Sequence, residues 1–87
     1  MKNYKQINFK KAAEKFLKSR TRKEQLKLLE KIYQLPDGTN IKKMEGYENR
    51  YRLWVGDVRV LYDMFIKHDD KIEILIVEMG NRGDIYK

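Results

Sequence analysis

The chain has no cysteine, one proline, one histidine and one tryptophan among its 87 residues. Without cysteine, neither a disulfide nor a thiolate metal site can hold the fold together, and no His/Cys metal-ligand cluster exists. A single histidine, His68, leaves no paired-histidine acid–base chemistry, and it falls at an expected strand turn away from the arginines considered below. No run of about 18 apolar residues is present, so no helix can span a bilayer. The opening MKNYKQINFKK lacks the apolar core of a signal peptide. There are no repeats, linkers or low-complexity segments. These absences lead to the expectation of one cytoplasmic domain over residues 1–87, without metal, cofactor or membrane, near the lower size limit for a self-sufficient core.

Charge is plentiful and uneven. The net charge is +7, with 13 Lys/Arg against 4 acids through Met44 and 7 against 9 from Glu45 onward. A one-sided lysine surface attracts phosphate polymers without reading their sequence. It equally suits a solvated helix exterior, so charge alone assigns nothing.

Periodicity divides the chain into two halves. Ile7 and Phe9 alternate with polar neighbours, a weak signal for a short first strand. Ala12, Ala13, Phe16 and Leu17 recur at helical spacing, predicting a helix over residues 10–19. Thr21 and Glu24 form a capping box for a second helix with Leu28, Leu29, Ile32 and Leu35 along one stripe, ended by Pro36 and Gly38. Residues 36–49 read as a loop. Beyond it the period becomes two, with strands over residues 50–55, 58–66 and 72–79. Gly56-Asp57 is a two-residue turn, and Asp69-Asp70 marks the next.

The turns predict a register. Val55 should face Val58, Trp54 face Arg59, Arg52 face Leu61 and Arg50 face Asp63. In the next hairpin Ile66 should face Glu73, Leu61 face Glu78 and Arg59 face Gly80. One sheet face then carries Tyr51, Leu53, Val55, Val58, Val60, Tyr62, Met64, Leu75, Val77 and Met79, a core face made to receive the helices. The other gathers Arg50, Arg52, Trp54, Arg59 and Glu78, with Arg82 just past the strand end. Arg50 has Asp63 as a partner; Arg52, Arg59 and Arg82 have none in sight. Guanidinium forks bind phosphate oxygens in bidentate fashion and an indole stacks on a base, so this face suits a phosphodiester chain. The plainer reading is a row of exposed strand residues, with Trp54 packed on the stem of Arg59. The fold expectation is α+β, with an N-terminal strand and helix hairpin packed on one face of a mainly antiparallel four-stranded sheet.

The helix hairpin, the stretch NIKKMEGYENRYRLWVGDVRVLYDM and the ending IVEMGNRGDIYK together resemble the RelE/ParE superfamily of type II toxins, in its RelE-like branch. The resemblance implies a toxin that enters the ribosomal A site and cuts mRNA without a metal, by attack of a 2′-hydroxyl on its own phosphate. It implies catalytic roles for Arg59, Arg82 and Tyr86, with Arg52, Trp54, Lys42 and Lys43 as RNA-binding residues. It implies a cognate antitoxin bound in a hetero-oligomer, with the ribosome and mRNA as further partners. Enzymes of this type carry two lysines on the strand where this chain has Arg52 and Trp54. Arginine keeps the charge but cannot be deprotonated to act as a base, and tryptophan keeps neither property. Two other readings stand beside it: a ParE-like inhibitor of DNA gyrase, and a degenerate toxin retained for antitoxin binding.

The predicted register also puts Leu61, Phe65, Ile74 and Ile76 together beyond the arginines. An apolar patch beside a cationic site marks an interaction surface, here an antitoxin-binding one. Alternatively the loop over residues 36–49 or the first strand folds over it.

Overall fold

The computed structural model describes residues 5–85. Strand β1 (Lys5–Phe9) leads through the extended Lys10 into helix α1 (Lys11–Lys18), and α2 (Arg22–Ile32) follows after a short break. Thr21 caps α2 as the sequence implies: its hydroxyl accepts from the Glu24 N–H at 3.2 Å, and the Glu24 carboxylate accepts from the Thr21 N–H at 3.2 Å. Ala13 on α1, Leu28 and Ile32 on α2 and Leu35 beyond it are buried, whereas Ala12 is exposed.

The remaining elements are β2 (Ile41–Lys43), β3 (Arg50–Val55), β4 (Val58–Ile66), β5 (Ile72–Asn81) and the one-turn helix α3 (Arg82–Ile85). The strands form one sheet in the order β1-β5-β4-β3-β2, with β1 parallel to β5 and every other neighbour antiparallel. This corrects the four-stranded expectation: the sheet has five strands and is mixed. The N-terminal strand lies in the plane of the sheet, not on its face. Its Ile7 and Phe9 stand beside Ile74 and Ile76, and the helix pair carries the chain from β1 across the sheet to β2 on the opposite edge. The expected loop over residues 36–49 also contains β2, which pairs with the free edge of β3. Three residues, two of them lysines, carry no strand signature of their own; the unpaired N–H and C=O groups of β3 recruit them.

Helix α1 packs over β5 and α2 over β3. The β3–β4 register is the predicted one, from Val55 opposite Val58 to Arg50 opposite Asp63. Gly56 takes a φ of +61° in the connecting turn, where glycine alone is unstrained. The β4–β5 hairpin departs from expectation. Residues His68–Asp70 form a 3-10 turn with positive φ at Asp69 and Asp70, which closes Ile66 on Ile72 instead of Glu73. Tyr62 therefore faces Ile76, and a bulge at Leu61/Tyr62 then restores Leu61 opposite Glu78, leaving Val77 as the extra residue.

A one-residue slip turns every side chain to the other face. Between the turn and the bulge the predicted faces of β5 are exchanged: Ile74 and Ile76 are buried, at 1% and 0% exposure, while Leu75 and Val77 are only half-buried. Met79, past the bulge, is in the core as predicted, together with Leu53, Val55, Val60 and Tyr62. The proposed patch of Leu61, Phe65, Ile74 and Ile76 is thus corrected, because two of its four members belong to the helix-facing core. Leu61 stays half-buried and Phe65 exposed. Across the core, Tyr62 stacks on Tyr51 with ring centroids 5.5 Å apart and planes 15° from parallel.

Candidate nucleic-acid interface

The antiparallel pairing sets Trp54 opposite Arg59, and Arg52 between Lys42 on one side and Leu61 on the other. Directly opposed residues project to the same face. This row therefore lies on the face away from the helices, because Leu53, Val55 and Val60, which alternate with it, are buried in the core. Arg82 is delivered from a different element. It opens α3 at the end of β5, and its N–H donates to the Asp57 carbonyl at 2.8 Å, tying it to the β3–β4 turn.

Trp54 is the centre of the arrangement. The Arg52 Cζ lies 5.9 Å from its ring centroid and the Arg82 Cζ 5.6 Å, so one indole supports two guanidinium groups. Attraction to the ring offsets part of the repulsion between two like charges. Beside them opens a shallow basin of about 510 Å³ lined by Asn40, Arg52, Trp54, Gly56 and Arg82. In this arrangement the indole positions arginines instead of offering a bare stacking surface.

Arg52 and Arg59 have a further property. The Nε of each is buried and has no hydrogen-bond partner among the described residues. The ion pairs among the described residues are Lys18–Glu14, Arg50–Asp63 and Lys67–Glu73, none of which involves them. Their neighbour Arg50 behaves oppositely. It donates from Nε to Asp63 Oδ1 at 2.7 Å and from Nη2 to Oδ2 at 3.0 Å, and that bond to Asp63 raises its pKa above the ordinary value. Arg50 is held by the fold. Arg52 and Arg59 are left with donor capacity unspent.

The structure distributes the predicted site residues unevenly. Arg52, Trp54, Arg59 and Arg82 come together. Lys42 joins their face opposite Arg52, but Lys43 opposes Tyr51 on the other side of the sheet, because adjacent strand residues point to opposite faces. Tyr86 lies outside the described residues. Asn40 was not anticipated. It sits at a φ of 63°, accepts from the Trp54 N–H at 3.1 Å through its carbonyl, and lines the basin. Asparagine tolerates that conformation better than most residues, but its place beside Trp54 follows from the β2–β3 pairing, which the sequence does not announce. No group of three or more His, Cys, Asp or Glu among the described residues could hold a metal ion. No helix among them is long and apolar enough to cross a membrane.

Comparison with known proteins adds the context of an assembly. No family model matches the chain, and no curated protein matches it. Solved structures do, among them two complexes. One is the archaeal RelE–RelB complex from Pyrococcus horikoshii OT3, with a TM-score of 0.69 at 26% identity over 94% of this chain and 98% of the matched chain. The other is the RelB–RelE antitoxin–toxin complex from Methanococcus jannaschii, with a TM-score of 0.68 at 26% identity over 90% of this chain and 93% of the matched chain. The expected identification as a RelE-like mRNA interferase is corrected here. What this chain shares with both structures is a fold found inside a toxin–antitoxin complex. With no family model matching, the toxin's ribonuclease role does not pass to this chain on that likeness, nor do the gyrase and degenerate-toxin readings.

Proposed function

We propose that this chain is one member of a two-protein assembly of the toxin–antitoxin kind, and that its arginine basin binds a single strand of nucleic acid. The assembly is supported by the two RelE–RelB complexes that share its fold. The fold stands on a core of its own, and the net charge of +7 is compatible with an acidic partner. An RNA strand, messenger or ribosomal, in the cytoplasm is the ligand this reading intends.

One observation carries the binding site: the buried, unpartnered Nε atoms of Arg52 and Arg59 beside the Trp54-supported Arg82. A phosphate oxygen entering the basin meets the guanidinium groups of Arg52 and Arg82, which line it, with Arg59 opposite Trp54 on the same face. Arg52, Arg59 and Arg82 are phosphate ligands in this reading, with Lys42 at the margin of the same face. No bond-breaking step is assigned to them.

Anisotropy of a labelled single-stranded RNA titrated with the whole protein tests the proposal. Arg52→Ala and Arg59→Ala should each weaken binding about tenfold, the worth of one charged contact of about 1.4 kcal/mol. Unchanged affinity in both variants would remove the basin as a site. The assembly is tested separately, by whether the product of an adjoining gene encoding a small acidic protein forms a stable complex on co-expression.

A further inference from the structure

Three depressions adjoin around Gly56, and only one is the arginine basin. A second, of about 90 Å³, lies between α2 and the end of β3 and is lined by Lys27, Lys31 and Asp37, among others. It shares Asn40, Trp54 and Gly56 with the basin. A third, of about 240 Å³, is lined by Arg20, Glu24, Lys27, Asp57 and neighbours, and it shares Lys27, Val55 and Gly56 with the second. The sheet's arginine face and the outer side of α2 therefore meet over the β3–β4 turn in one continuous surface.

The lysines on that path are unusual for a helix. Lys23, Lys27 and Lys31 follow one another at four-residue spacing on α2, and all three are exposed. Like charges at this spacing repel and weaken a helix. None of the three takes part in an ion pair found among the described residues. The acids beside them are Glu24, engaged in the capping box, Glu30, which follows Lys27 by three residues without an ion pair to it among the described residues, and Asp37 and Asp57 at the loops. The row carries more positive charge than Glu24 and Glu30 balance, which suits an anionic chain laid along it.

We infer that the arginine basin is one end of a track for a single-stranded nucleic acid, which continues over Asn40 and Gly56 onto Lys27 and Lys31 of α2. This rests on the basin reading and extends it from one phosphate to several successive ones. The basin offers guanidinium forks and a wall of indole; the α2 segment offers point charges only. The track thus grips at one end and guides along the rest. Gly56 sits at the crossing with open space where a side chain would be, so the backbone strand can pass close to the turn.

The whole protein is titrated with labelled oligouridylate of three and of ten nucleotides, across a series of salt concentrations. The ten-nucleotide strand should bind more tightly and with a steeper salt dependence. Lys27→Ala/Lys31→Ala should abolish most of that length-dependent gain and lower the salt slope by about 1.4, at about 0.7 per lost phosphate contact on a single strand. Lys11→Ala/Lys15→Ala, which removes equal charge from α1, should change neither. Equal losses in both double variants would mean a general positive field and overturn the track, as would an unchanged slope for the α2 variant. Arg52→Ala discriminates the two levels. If it leaves trinucleotide and decamer binding untouched, the basin itself fails; if it weakens both while the α2 variant does nothing, only the track does.

Discussion

Arg50 grips Asp63 across the β3–β4 hairpin through two parallel hydrogen bonds of 2.7 and 3.0 Å, with the pair only partly open to water. Two residues further along the same strand and face, Arg52 has a buried Nε with no partner among the described residues. One arginine is a fastening; the other is available. The contrast yields the first prediction. Asp63→Ala should destabilise the protein by roughly 1 to 3 kcal/mol, since it leaves a half-buried guanidinium uncompensated. Arg50→Ala/Asp63→Ala should cost less than the sum of the single changes, as read from denaturant midpoints. Additive effects would mean that the pair contributes nothing beyond its separate side chains.

The unpaired arginines should trade stability against binding. Arg52→Gln and Arg59→Gln each remove a crowded positive charge and a buried unsatisfied donor, so their melting temperatures should equal or exceed that of the parent. Their RNA affinity should fall. Scanning calorimetry beside anisotropy checks both halves, and a marked drop in Tm would show that these arginines serve the fold.

The bulge in β5 separates two hydrophobic residues that the simple register placed together. Ile76 is fully buried and Leu61 half-buried. Ile76→Ala should therefore cost about 2 to 5 kcal/mol through its cavity, while Leu61→Ala should cost clearly less. Urea unfolding of the two variants decides it. Equal costs would return Ile76 to the surface.

Tyr62 offers a test by pH. Burial, followed by the neighbouring Tyr51, pushes its pKa up from 10 to about 12. The folded protein thus keeps this proton where the unfolded chain has lost it. Its contribution is fully present below pH 10 and is lost as pH rises from about 10 toward 12. The total loss is roughly 2 to 3 kcal/mol for a shift of about two units. Tyr62→Phe should show a shallower decline in stability between pH 9 and 11.5 than the parent. Parallel declines would assign the alkaline loss to other groups.

Local chemistry was legible in the sequence. The capping box at Thr21, the glycine turn at 56 and the β3–β4 register all depend on residues within a few positions of one another, so reading them required no knowledge of the rest of the chain. The same register brought Arg52, Trp54 and Arg59 onto one face, with Arg82 just past the end of the last strand. Separating Lys42 from Lys43 also lay within reach of period two, once residues 41–43 are known to be a strand.

The tertiary structure decided the rest, because it depended on partners distant in sequence. Whether Ile41–Lys43 is a loop or a strand is settled by the open edge of β3, and whether β1 lies on the sheet or within it by the edge of β5. The face to which Ile74 and Ile76 point follows from a turn that holds one residue differently and a bulge that corrects it. Alternation alone does not distinguish the two, since both faces of β5 are apolar there: Ile72, Ile74 and Ile76 on one, Leu75 and Val77 on the other. Helix packing chose between them, burying the isoleucines of β5 under α1 and leaving the arginines on the face away from the helices.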